Sequence, residues 1–264
     1  MTGLLIDGFP PTDDDLHYLA LVNYGAYTSF RVEESGVRGL DLHLARLDAS
    51  AVELFGEGLG EARLRDLMRK ALGARRDAWL RVSLFSPELG ARRPSVRARP
   101  KVMTAASPPP SPLAQSVRAQ VQTFVRDAAH LKSTAIFPLI RARRLSQDAG
   151  FDDALFVDGE GRISEGSLWN IGFLAKDTVV WPEAPMLQGV AKALISRGLA
   201  GAGLAEHVRP VRLADLDAFD GAFLCNSATP ACAVTAIGNH VFEASPDRIG
   251  RLAAAWASNP VQSI

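Results

Sequence analysis

The chain has 264 residues, of which 29 are basic and 29 acidic, so its formal net charge is zero. This balance argues against a general binder of nucleic acid or of anionic membranes, because both depend on surplus Lys and Arg. No apolar run approaches the roughly 18 residues of a membrane span, the first residues lack the features of a signal peptide, and the two cysteines lack metal-site or redox spacing, so we expect a soluble cytoplasmic protein.

Residues 1–106 are predicted to form a small N-terminal α/β domain. Apolar, β-branched and aromatic runs predict strands, and apolar residues at helical spacing that end at a glycine predict helices. The predicted strands are 19–22, 27–32, 78–85 and 95–104. The predicted helices are 42–55 and 61–72.

A Pro/Ser-rich segment, residues 107–116, is predicted to link this domain to a larger one over residues 117–264. Prolines cannot donate to a sheet ladder and favour an extended linker. The alternative is a surface loop inside one domain. Beyond the segment, strands and helices mix without regular βαβ alternation, which indicates an α+β fold with antiparallel or mixed sheets. The predicted strands there are 117–125, 153–157, 162–164, 169–174, 178–181, 206–211, 222–226 and 233–237, and the helices are 137–149, 190–199 and 246–258.

The common catalytic motifs are absent from the sequence. It has no dinucleotide-binding or P-loop glycine pattern, no nucleophile elbow and no zinc-protease helix, and its five histidines lack ligand spacing, so we expect no metal. Lysines are few: five, against 24 arginines. Lys132 differs from the other four because it lies among apolar residues between a predicted strand and a predicted helix. Taken alone, this position fits a lysine whose aliphatic stem covers apolar surface better than it fits a reactive amine.

Four separated features change that interpretation when they are taken together. Lys132 is an amine, Glu165 is a carboxylate at the end of a short predicted strand, and Gly189 opens a helix whose free N–H groups can hold an anion. Arg46 lies one helical turn after His43 on an amphipathic helix. An amine, a carboxylate, an arginine and an N–H cradle are what a pyridoxal phosphate site requires.

In this order the motifs resemble those of the fold-type IV pyridoxal-phosphate enzymes, the class IV aminotransferase family. That family includes branched-chain and D-amino-acid aminotransferases and 4-amino-4-deoxychorismate lyases. The most specific similarity is the stretch from Gly150 to Asn170. The other similar segments are 24–32, 43–50, 132–138, 187–191 and 223–229.

The resemblance implies a role for each matching residue. Lys132 would form the Schiff base with pyridoxal 5'-phosphate, and Glu165 would pair with the ring nitrogen. The residues implied to hold the phosphate are Arg46, Val190, Ala191, Ser227 and Ala228. Those implied to contact substrate are Tyr27, Ser29 and Thr229.

The resemblance implies an aminotransferase that moves an amino group from an amino acid to a 2-oxo acid, in a homodimer with neither nucleic acid nor membrane as partner. The alternatives are a 4-amino-4-deoxychorismate lyase, which releases 4-aminobenzoate and pyruvate, and a member that has lost catalysis. Departures from the family pattern bear on this choice. The opening segment 26–29 lacks the acidic residue of many aminotransferases and resembles the aromatic-Thr-Thr of the lyase branch. Ala191 stands where a threonine is frequent, Lys192 where an arginine is frequent, and Phe137 where branched-chain members have a tyrosine.

Overall fold

The computed structural model of the chain describes residues 3–95, 97–111 and 116–264. Six α-helices lie within these ranges: α1 Asp13–Leu21, α2 Leu40–Phe55, α3 Glu61–Leu72, α4 Phe137–Asp148, α5 Val190–Gly198 and α6 Pro246–Ala257. The strands described there are β1 Gly3–Ile6, β2 Ala26–Val32, β3 Gly36–Arg38, β4 Ala78–Phe85, β5 Lys101–Ser107, β6 Ser116–Thr123, β7 Asp153–Val157, β8 Ile163–Gly166, β9 Asn170–Ala175, β10 Thr178–Pro182, β11 Ala205–Arg209, β12 Gly221–Cys225, β13 Cys232–Ile237, β14 His240–Val241 and β15 Val261–Ser263.

The chain divides into two units by its internal contacts. Unit 1 contains residues 1–110, 131–135 and 261–264, and unit 2 contains residues 111–130 and 136–260. Two short segments therefore group with unit 1 although they lie far along the chain. The domain limits of 1–106, 107–116 and 117–264 stay a prediction, because residues 112–115 of the predicted linker lie outside the described residues.

Unit 1 is built on an antiparallel sheet with the strand order β1-β5-β4-β2. Because side chains alternate across a strand, one face of this sheet is apolar and packs with α2 and α3 into a single core. The other face presents Tyr27, Ser29, Arg81 and Ser83 on two neighbouring strands. A small antiparallel pair, β15 with β3, adds the last residues of the chain to this unit.

Unit 2 contains a mixed sheet that closes on itself. The strand order is β11-β10-β9-β12-β13-β6-β7-β8, and an additional pairing of β8 with β9 joins Glu165 to Asn170. Strands β9, β12, β13, β6, β7 and β8 therefore form a ring around an apolar core. A second core lies under α5 and α6, and the expected α+β architecture with mixed sheets is confirmed.

The predicted strand at 19–22 is wrong, because a helix that begins at Asp13 runs through Leu21. Thr12 caps α1 by accepting a hydrogen bond from the Asp15 backbone N–H at 3.2 Å, and the first turn holds three aspartates. A capping hydroxyl and negative charges at a helix N-terminus stabilise the helix through its unpaired N–H groups and its dipole. Residues 19–21 therefore continue α1.

The predicted strand at 95–104 begins later, at Lys101, and extends to Ser107. Pro100 lacks the N–H that a ladder needs, which accounts for the late start, and Val96 lies outside the described residues. Strands β1, β3, β14 and β15 were not predicted, since runs of two to four residues carry too little periodicity. None of the helices in the described ranges is both long and apolar enough to cross a bilayer.

Candidate functional site

The segment that carries Lys132 is fixed to the start of β2 by backbone hydrogen bonds. The N–H of Tyr27 donates to the Lys132 carbonyl at 2.9 Å, and the N–H of Thr134 donates to the Gly25 carbonyl at 2.9 Å. Ala26 and Ser133 form an isolated antiparallel bridge between these two bonds. Lys132 is therefore held in a short extended segment against the edge of the unit 1 sheet.

Gly25 is required for this close approach. A Cβ at Gly25 would lie 2.1 Å from the Leu84 carbonyl oxygen and 3.4 Å from the Thr134 hydroxyl. The contacted atom belongs to the backbone, which cannot move aside as the end of a flexible side chain can. Close packing within unit 1 therefore explains the glycine that directly precedes β2.

The Lys132 amine lies near the polar face of the sheet. Its Nζ is 4.9 Å from the centre of the Tyr27 ring, and the Arg81 guanidinium carbon is 3.7 Å from the centre of the same ring. Ser29 pairs with Arg81 across the two strands and is half-buried. Two cations thus lie against one tyrosine ring, which attracts them through its π-face.

Helix α2 brings Arg46 and His43 to the same side of unit 1. His43 is 2% exposed, and burial together with the charges of Arg46 and Lys132 holds the pKa of its imidazole well below the usual 6.5. Burial lowers the pKa of Arg46 to about 10, so its guanidinium is still charged at neutral pH. This side of unit 1 therefore combines a neutral histidine with positive charge, which suits an anionic ligand.

The lowered pKa of His43 has a measurable consequence for stability. The unfolded chain binds a proton at His43 near pH 6.5 and the folded chain does not, so the free energy of unfolding falls as the pH drops below 6.5. The expected slope from this group approaches about 1.4 kcal/mol per pH unit, and it vanishes well above pH 7. Urea unfolding from pH 5.5 to 8 measures it.

His43→Leu should remove this slope, whereas replacing the exposed His17 by Gln should leave it intact. An unchanged slope in the His43→Leu protein would contradict the assignment.

Glu165 is buried in unit 2 at the point where β8 pairs with β9. Its side chain is 4% exposed, and its Oε1 accepts hydrogen bonds from the Arg126 Nε at 2.9 Å and from the Leu187 N–H at 3.3 Å. An ion pair favours the charged form of both partners. The arrangement therefore presents a buried carboxylate with a fixed orientation.

The turn after Glu165 is fixed by Asp153, a carboxylate that is 2% exposed on β7. Asp153 accepts hydrogen bonds from the Ser167 hydroxyl at 2.5 Å and from the Trp169 indole N–H at 3.0 Å. A Cβ at Gly166 would lie 2.1 Å from the Trp169 ring. The stretch that most resembles the family is thus a tightly packed turn that positions Glu165.

Gly189 is the N-cap residue of α5, and no side chain caps this end of the helix. The Asn170 side chain donates to the Leu187 carbonyl at 2.8 Å, and its Oδ1 would lie 2.0 Å from a Cβ at Gly189. Val190 and Ala191 stand in the first turn, where backbone N–H groups have no intrahelical acceptor. These N–H groups and the helix dipole form an anion-binding end.

The predicted residues Ser227, Ala228 and Thr229 lie together in a turn after β12. Asn226 accepts hydrogen bonds through its Oδ1 from the N–H groups of Ala228 at 3.0 Å and Thr229 at 2.8 Å. The Ala228 N–H thus has an acceptor within the turn, and its contact with phosphate stays a prediction. Ser227 is half-buried in the same turn and Thr229 is buried.

The structure thus brings the predicted residues together in two sets. Unit 1 holds Arg46 and Lys132 with the substrate candidates Tyr27 and Ser29. Unit 2 holds the others, which are Glu165, Val190, Ala191, Ser227, Ala228 and Thr229. Within the described residues, no group of three or more His, Cys, Asp or Glu side chains could hold a metal ion.

Sequence reasoning gave no role to two arginines that contact these sets: Arg126, which bonds to Glu165, and Arg81, which lies over the Tyr27 ring. The sequence holds 24 arginines, and neither of the two is distinguished by a local pattern. For Arg81, the alternation along 78–85 does place it on the same face as Ser83, which was the one available signal.

The family model for amino-transferase class IV matches residues 25–237 of the chain. The chain belongs to the class IV aminotransferase family. It is therefore a pyridoxal-phosphate-dependent enzyme with the fold-type IV architecture, as the order of the motifs predicted. A search among curated proteins found no match.

Solved structures with the same fold include both branches of the family. A 4-amino-4-deoxychorismate lyase from Pseudomonas aeruginosa is 26% identical, with a TM-score of 0.80, over 95% of this chain and 97% of that one. A branched-chain aminotransferase from Thermoproteus uzoniensis is 19% identical, with a TM-score of 0.82, over 96% and 93%. A hypothetical aminotransferase from Mycobacterium tuberculosis in a PLP-bound form is 20% identical, with a TM-score of 0.77, over 97% and 99%.

Proposed function

We propose that this class IV enzyme is an aminotransferase that moves an amino group between an amino acid and a 2-oxo acid, with Lys132 as the essential amine. The observation that carries the proposal is the position of Lys132 in unit 1, where its segment pairs with β2 beside Tyr27. The same unit holds Arg46. The proposed Schiff-base amine and the proposed phosphate-binding arginine thus belong to one unit.

The residues of both units fit pyridoxal phosphate. Arg46, the first-turn N–H groups of α5 and the Ser227 hydroxyl would hold its phosphate, because charged and N–H donors bind phosphate oxygens. The close contact of Gly189 with Asn170 keeps the start of α5 free of a side chain. Assigning both sets of residues to one cofactor rests on the order of the family's motifs.

When bound, pyridoxal phosphate supplies a ring that withdraws electrons from the substrate Cα and eases removal of its proton. The Lys132 Nζ would take that proton as a general base and return it as an acid. Glu165 would keep the proton on the ring nitrogen, since a buried carboxylate stabilises an adjacent positive charge. Arg126 orients Glu165 through its bond to Oε1.

The polar face of the unit 1 sheet would hold the substrate carboxylate. Amino acids and 2-oxo acids share this group, and a guanidinium binds it well. Arg81 is the guanidinium on that face, and its Nε also donates to the Ser83 hydroxyl at 3.2 Å. Tyr27 and Ser29 share the face, and with Thr229 they are the proposed substrate contacts.

A lyase that releases pyruvate from 4-amino-4-deoxychorismate is the second candidate. Of the three similar structures described above, the Pseudomonas aeruginosa enzyme of that name has the highest identity to this chain. The same amine and the same carboxylate would serve this reaction, because it also begins with loss of the Cα proton.

The two candidates differ in what becomes of the cofactor. The holoenzyme is mixed with single L- and D-amino acids, and cofactor absorbance is recorded. For an aminotransferase we expect at least one amino acid to convert the cofactor to its amine form, and a 2-oxo acid to reverse the change. No conversion by any amino acid, together with pyruvate release from 4-amino-4-deoxychorismate, would favour the lyase.

We also propose that the enzyme is a cytoplasmic homodimer, as the family resemblance and the composition imply. Both cysteines are free and buried, and burial raises the pKa of the Cys225 thiol to about 12, so it is poorly reactive.

Light scattering of the purified holoenzyme tests the dimer, and a mass of about one chain would contradict it.

A further inference from the structure

A buried polar pair joins strand β2 to helix α2 in the core of unit 1. The Thr28 Oγ1 and the His43 Nδ1 are 2.6 Å apart, and both side chains are at most 2% exposed. Apolar side chains pack around the pair: the Phe30 ring centre is 4.6 Å from the His43 ring centre, and Leu44 and Leu47 of α2 belong to the same core. A hydroxyl and an imidazole buried in this way cost free energy unless they bond to each other.

The Thr28–His43 pair joins the strand that is bonded to the Lys132 segment to the helix that carries Arg46. On one side, the N–H of Tyr27, the residue before Thr28, donates to the Lys132 carbonyl at 2.9 Å. On the other side, Arg46 follows His43 by three residues and therefore lies on the same side of α2. Two hydrogen bonds thus connect the segment that carries the amine to the helix that carries the guanidinium.

We propose that the Thr28–His43 pair sets the separation between the Lys132 amine and the Arg46 guanidinium, and so tunes the enzyme for a ligand that engages both. The inference rests on the proposed function, in which these groups hold opposite ends of pyridoxal phosphate. Binding at both ends depends steeply on geometry, and a misplacement of about 1 Å can cost about 100-fold. Thr28 and His43 are therefore positioning residues.

The charge state of His43 supports this role. A protonated imidazole would add a third positive charge beside Arg46 and Lys132, and burial with those charges keeps the ring neutral. A neutral ring offers one N–H and one lone pair, so either tautomer can share a hydrogen bond with the Thr28 hydroxyl. The bond therefore persists at neutral pH.

Thr104 provides a matched control in the same core. Val82 pairs with Thr28 on one side and with Thr104 on the other, so the two threonines occupy one cross-strand row on the same face. The Thr104 hydroxyl is also buried, but it has no hydrogen-bond partner among the described residues. Replacing either threonine by valine deletes a buried hydroxyl at nearly constant shape, and only Thr28→Val breaks the pair.

The test measures two ligands on the apoenzyme. The dissociation constant of pyridoxal phosphate is measured by absorbance titration, and that of inorganic phosphate by its competition in the same titration. For Thr28→Val we expect pyridoxal phosphate to bind at least about 10-fold more weakly. The dissociation constant of inorganic phosphate should change less than about 2-fold. Thr104→Val should leave both constants within about 2-fold, and Thr28→Ser, which keeps the hydroxyl, should bind as the wild type.

His43→Leu breaks the same pair from the other side and should give the same pattern, so the test survives if Thr28→Val fails to fold. Pyridoxal phosphate binding within 2-fold of the wild type in a folded pair-breaking variant overturns the inference. If inorganic phosphate binding weakens as much as pyridoxal phosphate binding, the inference is also overturned, because the loss would then lie in the anion site itself. If the wild type binds no pyridoxal phosphate, the proposed function fails, and the inference fails with it.

Discussion

Replacing Lys132 by alanine should abolish turnover, with a fall of at least about 10³-fold in kcat. The amine is proposed both to bind the cofactor and to move the substrate proton, and the other two lysines of unit 1 form ion pairs, Lys70 with Asp66 and Lys101 with Asp15. The measurement is the rate of amino-group transfer at saturating cofactor. The variant should still fold, since the backbone bonds that fix residue 132 do not involve its side chain.

Lys70→Ala is the matched control for this change. Lys70 lies on the exposed surface of α3 in the same unit, where it pairs with Asp66 at 2.9 Å. Its loss should leave turnover unchanged. If Lys132→Ala kept more than a tenth of the wild-type rate, the assigned role of Lys132 would be wrong.

Replacing Glu165 by glutamine should preserve cofactor binding and lower kcat by about 10²- to 10³-fold. The amide keeps the shape of the side chain and removes the negative charge proposed to hold the ring nitrogen protonated. The loss should therefore appear in kcat and not in the dissociation constant of pyridoxal phosphate. Titration of the apoenzyme and steady-state kinetics measure the two quantities.

Glu160→Gln provides the corresponding control, because Glu160 is 63% exposed in the turn before β8. Its kcat and its affinity for the cofactor should match the wild type. A Glu165→Gln enzyme with wild-type kcat would remove Glu165 from its assigned role. Weaker cofactor binding with unchanged kcat would assign it to binding alone.

Long periodic segments of the fold were predictable from the sequence. Helix α3 and strand β4 have the predicted bounds, because apolar spacing over a dozen residues or alternation over eight is a strong local signal. The stretch from Gly150 to Asn170 was identified by its resemblance to the family. The structure adds its physical basis, which is a turn fixed by hydrogen bonds to Asp153.

The contacts that create the site were not predictable, because they join residues that are distant in sequence. Arg126 meets Glu165 39 residues later, and the Thr28–His43 pair spans 15 residues. Nothing local distinguishes a buried arginine from a surface one. Helix α1 was missed for a different reason, since its N-cap and acidic first turn outweigh the apolar run at its end.

The most direct test of the central claim is to locate the cofactor on the chain. The holoenzyme is reduced with borohydride and digested, and the modified peptide is identified by mass spectrometry. We predict a single phosphopyridoxyl group on Lys132, with none on Lys70, Lys101, Lys176 or Lys192. No adduct, or one on Lys192 in α5 in place of Lys132, would contradict the account.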